Sequence, residues 1–210
     1  MVQLKIVYTD GLNYEKLKKL DLIKPEDIKK AEEYKNLSDK TERLISFYLK
    51  RKYVGTWELS DTGKPVSADK FFSLSHCNGA VTIALSDKNV GVDIERVKNI
   101  DKRLIDYVAS EEERDKILTD EDFFKVWTAK ESLVKALGTG LTEKPNKIPA
   151  FPLNGVKFYR NKTFYSKTIA VKDFIISVTV ENSYPFNVDV KESLSKATEL
   201  ELDCVIKLPK

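Results

Sequence analysis

Histidine and cysteine are nearly absent from the chain, and their absence removes whole classes of site. His76 is the one histidine, which excludes a multi-histidine metal centre and leaves a single candidate for imidazole chemistry. Cys77 and Cys204 are the two cysteines and form no CxxC motif. Neither a disulfide framework nor a zinc site is indicated, and both read as free, buried thiols. Long apolar runs are also missing, so no membrane span is expected. The opening MVQLKIVYTD lacks the basic start and apolar stretch of a signal peptide, and a cytoplasmic location is expected. Charge of one sign is not in excess: 36 Lys and Arg against 33 Asp and Glu leave a net +3. That balance gives no reason to expect nucleic acid and is compatible with an acidic partner.

What is present suits a soluble globular protein. With 210 residues, 41% of them hydrophobic and 33% charged, the chain can bury a sizeable core as one large domain or two small halves. Val2 to Tyr8 alternates and is β-branched, predicting a first strand before an Asp10-Gly11 turn. A charged, mainly helical region runs to about Tyr53. Pro25 suits an early helix position, and Ile28, Ala31 and Tyr34 recur at helical spacing in Glu26 to Lys35. Ser38 or Asp39 is the expected cap of the next helix, with Leu44, Ile45, Tyr48 and Leu49 as its apolar stripe. Trp57 to Ser60 predicts a short strand, and the DTGKP stretch from Asp61 to Pro65 a turn.

Three strands are expected next, Phe71 to Ser75, Ala80 to Ser86 and Val90 to Val97, joined by short turns as a meander. Helix returns from Asp101 to Val108. Ser110-x-x-Glu113 is a capping box opening a helix to about Leu118. A longer helix begins near Thr119 or Asp120 and reaches Leu137, stopped by Gly138. Gly155 to Arg160, Thr163 to Val171 and Phe174 to Glu181 predict an antiparallel sheet, and Leu202 to Leu208 a last strand or tail. The order helices then strands occurs twice, pointing to similar halves that meet near residue 98.

Two stretches carry the chemistry. In Gly91 to Val97 (GVDIERV), Asp93 and Glu95 share one strand face with Val92, Ile94 and Val97 as packing, and two carboxylates so placed resemble half of a magnesium site. On its own such a pair reads as a solvated edge. In FFKVWTAKESLVKALGTGL, Trp127, Glu131 and Lys135 follow at i, i+4 and i+8 and share a helix face. An isolated E-x-x-x-K is ordinarily a surface ion pair of about 0.3–0.5 kcal/mol. His76 closes Phe72-Ser73-Leu74-Ser75-His76 before an Asn-Gly turn, where it could donate to a phosphate, and Lys64 in GKP is an exposed cation.

In order, GKP, SLSH, GVDIE and WTAKESLVKALGTGL resemble the 4'-phosphopantetheinyl transferase family in its longer, monomeric, surfactin-synthetase-activating form. The likeness is clear from Lys64 to Leu141. It implies an α+β fold of two pseudo-symmetric halves, each with helices on a small, mainly antiparallel sheet. Residues 1–98 would carry the coenzyme A nucleotide contacts and end on the acidic strand. Residues 99–210 would carry the Glu131 and Lys135 helix and the carrier-protein contacts. The implied enzyme transfers the phosphopantetheine arm of coenzyme A to a serine of an apo acyl or peptidyl carrier protein and releases 3',5'-ADP. By the same resemblance Asp93, Glu95 and Glu131 hold Mg2+. Lys135 and His76 meet the phosphates, and Ser75, Lys64 and Arg43 lie near the nucleotide. Catalysis falls to Glu131, Lys135 and Asp93, with Glu131 as base and Glu112 as second choice. Lys30, Lys40 and Arg43 are alternatives for the 3'-phosphate, in a row that Glu33 and Glu42 interrupt. The rival readings are a non-catalytic coenzyme A-binding partner and a magnesium-dependent phosphohydrolase.

Overall fold

The computed structural model describes residues 1–140, 142–182, 184–193 and 204–206. Its fold is α+β, as expected. Strand β1 (Val2–Tyr8) is followed by helices α1 (Tyr14–Leu17), α2 (Pro25–Glu32) and α3 (Leu37–Tyr53), then a small hairpin of β2 (Glu58–Leu59) and β3 (Pro65–Val66). Strands β4 (Phe71–Cys77), β5 (Ala80–Ser86) and β6 (Val90–Arg96) lead into α4 (Arg103–Val108), α5 (Glu111–Arg114) and α6 (Asp120–Leu137). A short 3-10 turn (Pro145–Lys147) precedes β7 (Gly155–Tyr159), β8 (Lys162–Val171), β9 (Phe174–Val180), β10 (Val188–Ser193) and β11 (Cys204–Ile206).

Two sheets form the frame. The first has the order β11-β10-β1-β5-β4, with β1 and β10 parallel and the other pairs antiparallel; the second has the order β6-β9-β8-β7, antiparallel throughout. Alternation along β1 explains how they pack. Val2, Leu4 and Ile6 join Val92, Ile94, Ile176 and Val178 in a core shared by the sheets. Val7, facing the other way, packs with Leu44, Ile45 and Leu49 of α3.

The expected meander is not formed. β4 and β5 pair, with Ser75 opposite Thr82, but β6 leaves them and pairs with β9, Asp93 lying opposite Ser177. Both faces of β6 are needed elsewhere: Val90, Val92 and Ile94 fill the shared core, while Gly91 and Asp93 lie under α6. β10 carries too few apolar residues for its pattern to predict it. α3 starts after Asn36, not Ser38 or Asp39, because the Ser38 hydroxyl is engaged with the Glu42 carboxylate at 2.9 Å. The Ser110 and Glu113 capping box is present, yet α5 ends at Arg114, short of Leu118. Of Leu202 to Leu208, only Cys204–Ile206 lies within the described residues, as a strand on β10.

Two buried lysines stand out in the second half. Lys130, fully buried, donates to Glu113 Oε2 (2.6 Å), Ile148 O (2.7 Å) and Pro145 O (3.0 Å). Glu113 also accepts from the Ser110 and Ala150 amides, both at 2.9 Å. This pair therefore ties α6 to the start of α5 and to the crossing before β7. Lys157 differs: its ammonium is buried with no partner. Burial pushes it down from 10.5 to about 7, with Glu113 opposing the shift and Lys130 adding to it. Because the folded-state value is depressed, the penalty is full below about pH 7 and fades as pH rises toward 10.5, at about 1.4 kcal/mol per pH unit. Lys157→Met should therefore raise stability, most at neutral pH and least near pH 10. Denaturant unfolding of both proteins across that range checks it, and a gain independent of pH would refute the assignment.

Candidate active site

Gly91 explains how the acids meet the helix. A Cβ at that position would lie 1.9 Å from the Ser132 carbonyl oxygen and 2.3 Å from the Ala136 amide nitrogen, so β6 runs against the backbone of α6 with no room for a side chain. α6 itself is well defined at its ends. Thr119 closes a capping box with Asp122, and Gly138 terminates the helix at φ 79°. On its sheet side two hydroxyl relays fix its rotation. Thr128, Ser177 and Thr168 form one and Ser132, Thr179 and Ser166 the other, every step 2.8 Å. Buried hydroxyls satisfied this way accept few alternative registers.

With the helix so set, Trp127, Glu131 and Lys135 face β4 and β6. Lys135 Nζ donates to Asp93 Oδ1 at 2.6 Å and to Ser75 Oγ at 2.9 Å, and Ser75 Oγ donates to the same Asp93 oxygen at 2.8 Å. Trp127 Nε1 donates to Glu95 Oε1 at 3.2 Å. Asp93 is 4% exposed, and its Oδ2 and the Oε1 of Glu131 are buried without a partner. Burial and the Asp93 charge push the Glu95 carboxyl up to about 7. The same two causes raise Glu131, partly offset by Lys135. Burial and the Asp93 charge thus disfavour the ionised forms of Glu95 and Glu131.

Among the described residues no three His, Cys, Asp or Glu side chains already stand at metal-binding spacing. The donor chemistry nonetheless fits a hard divalent cation. Asp93 Oδ2 and Glu131 Oε1 are oxygen donors left unpartnered in a buried place, which is what an O-ligated ion requires.

The remaining expected residues are spread around this centre. His76 Nδ1 lies 3.1 Å from Glu42 Oε2. Glu42 is 2% exposed and also accepts from the Gly79 amide at 3.1 Å. It anchors the histidine and does not interrupt a basic surface row. Arg43 stacks on Phe47 with its guanidinium carbon 4.7 Å from the ring centroid, and its Nε is buried and unpartnered. Beside it Lys50, which the helical pattern places on the surface of α3 with the other basic residues, is instead buried and stands over the Phe47 and Trp57 rings at 4.6 and 4.5 Å. Burial first, then Arg43, lowers Lys50 to about 8. Lys64 is not an exposed cation: it donates to the Lys135 carbonyl at 2.6 Å, and burial lowers its amine. Glu112 is exposed on α5; its neighbour Glu113 is the buried one. A cavity of about 340 Å³ opens between Glu131, Lys135, Val134, Lys64, Phe72 and Leu74.

Comparison with known proteins finds a family match and several relatives. Residues 89–185, which contain β6, α6 and β7 to β9, match the model of the 4'-phosphopantetheinyl transferase superfamily. The chain is 31% identical over 147 residues to 4'-phosphopantetheinyl transferase gsp of Aneurinibacillus migulanus, covering 62% of this chain and 59% of that protein. It is 34% identical over 95 residues to 4'-phosphopantetheinyl transferase psf-1 of Bacillus pumilus, covering 41% of each. It is 25% identical over 142 residues to 4'-phosphopantetheinyl transferase Sfp of Bacillus subtilis (strain 168), covering 59% of this chain and 63% of that one. The chain therefore spans less than two thirds of the length of the curated relatives it matches. Arg43, Lys64, Ser75 and His76 lie before the matched family region.

Proposed function

We propose that this protein transfers the 4'-phosphopantetheine arm of coenzyme A to a serine hydroxyl of an apo acyl or peptidyl carrier protein, releasing 3',5'-ADP. The observation that carries the reading is the pair of buried, unpartnered carboxylate oxygens on Asp93 and Glu131 beside the Lys135 ammonium, within the region matched to the superfamily. A divalent cation such as Mg2+, held by Asp93, Glu95 and Glu131, would neutralise the coenzyme's pyrophosphate. Lys135 offers the phosphates a point charge already oriented by Asp93 and Ser75. Glu131, raised by burial, is suited to receive the serine proton as the oxygen–phosphorus bond forms and the pyrophosphate bond breaks. The cavity beside Glu131 and Lys135, walled by Phe72, Leu74 and Val134, gives the pantetheine arm apolar room.

The nucleotide contacts are assigned to residues before 98, Arg43, Ser75 and His76, and the carrier contacts to residues after it. The enzyme is taken to act as a monomer in the cytoplasm. His76→Ala should weaken coenzyme A binding about tenfold, the scale of one lost charged hydrogen bond, and leave carrier affinity alone. Calorimetry with each ligand reads this, and an unchanged coenzyme affinity would remove His76 from the site.

The reaction is tested by following coenzyme A with Mg2+ in the presence and absence of an apo carrier protein. The proposal requires 3',5'-ADP only when carrier is present. Release without carrier would make the protein a phosphohydrolase, and binding without turnover a non-catalytic coenzyme partner.

A further inference from the structure

The hairpin β2–β3 has no evident purpose as packing. Its ladder is two residue pairs long, it joins neither main sheet, and its apolar residues Leu59 and Val66 are 71% and 41% exposed. A two-stranded ribbon of this size is marginal in water. Its tip, however, is built with care. Gly63 takes φ +78°, its amide donates to Ser60 O at 2.8 Å, and the Ser60 amide donates to Lys64 O at 2.9 Å. Ser60 Oγ accepts from the Lys64 amide at 3.1 Å and lies 2.9 Å from Thr62 Oγ1.

This tip is presented to the end of α6. Thr62 Oγ1 donates to Gly138 O at 2.8 Å, and Lys64 Nζ donates to Lys135 O at 2.6 Å with Val90 O at 3.5 Å. The last carbonyls of a helix have no partner within it, and the helix C-terminus carries partial negative charge. A hydroxyl and an ammonium delivered there satisfy both needs. The carbonyl that Lys64 holds belongs to the residue whose side chain meets Asp93, and Val90 precedes the Gly91 that touches α6. One lysine therefore links the hairpin, the start of β6 and the backbone of Lys135.

We propose that Lys64 is a positioning residue: with Thr62 it clamps the last turn of α6 so that the Lys135 ammonium stays aimed at Asp93. It acts through Lys135 and does not bind the coenzyme by its own charge. The proposal rests on the transferase reading for its kinetic consequence, and on the fold alone for its structural one.

Lys64→Met keeps the length of the side chain and removes the donor; Thr62→Val removes the second tie and is the milder change. Two readouts decide. Hydrogen exchange of the free protein should show the amides of Val134 to Gly138 exchanging at least tenfold faster in both variants, with the rest of α6 unchanged. In the transfer assay kcat should fall about tenfold in Lys64→Met while KM for coenzyme A stays within twofold. Exchange identical to the parent protein in both variants would overturn the clamp whether or not transfer is observed. A large rise in coenzyme KM with kcat preserved would make Lys64 a coenzyme contact and equally overturn it. A loss of transfer in the parent protein itself would count against the transferase reading and leave the exchange result to judge the clamp.

Discussion

Glu131→Gln should lose transfer activity by on the order of 10³-fold while folding at least as well as the parent protein. In the proposed mechanism such a loss, about 4 kcal/mol, combines a missing proton acceptor with a missing metal ligand. Stability should move the other way, because Glu131 Oε1 is buried without a partner and a neutral amide of the same shape is cheaper to bury there than a carboxylate. Asp93→Asn should lose comparable activity but also stability, since the Lys135 ammonium then faces only neutral acceptors where it had an ion-pair partner. Thermal melts and initial rates on the same samples separate the cases. Near-parental transfer by either variant would mean the acids are not where the chemistry occurs.

Gly91→Ala should be the most damaging single methyl in the molecule. The new Cβ would sit 1.9 Å from a backbone oxygen and 2.3 Å from a backbone nitrogen of α6, and backbone cannot rotate aside as a side chain can. α6 would have to lift, pulling Ser132 and Thr128 from the strand hydroxyls and Lys135 from Asp93. The expected cost is about 3 kcal/mol or more, with transfer lost even in the folded fraction. Denaturant midpoints and rates measure both, and a stable, active alanine variant would show that β6 and α6 are not in contact.

Much of this arrangement can be read from sequence because it is local. The period of β1, the i, i+4, i+8 spacing of Trp127, Glu131 and Lys135, the Ser110 capping box and the Gly138 stop each depend on neighbours a few residues away. What failed to show depends on distant partners. Alternation in Val90 to Val97 announces a strand but not which sheet receives it, so β6 looked like the third arm of a meander. Glu42 looks like an interruption among basic residues until the fold brings it to His76 and Gly79. Lys130 and Lys157 did leave signals. Lys130 sits in a stripe with Val126 and Val134, both buried, and Lys157 points inward from β7 while Val156 and Phe158 point out at 46% and 70% exposure. An apolar stripe containing one lysine, or a strand whose alternation is inverted, marks a buried cation before any coordinates exist.

Intact-protein mass spectrometry of apo carrier proteins, incubated with this protein, coenzyme A and Mg2+, tests the central claim most directly. The account predicts that a carrier gains the mass of one phosphopantetheine group on its acceptor serine, and that Glu131→Gln leaves the same carrier unmodified. A varied panel of fatty-acid, polyketide and peptide carriers that all remain at their apo masses would contradict it.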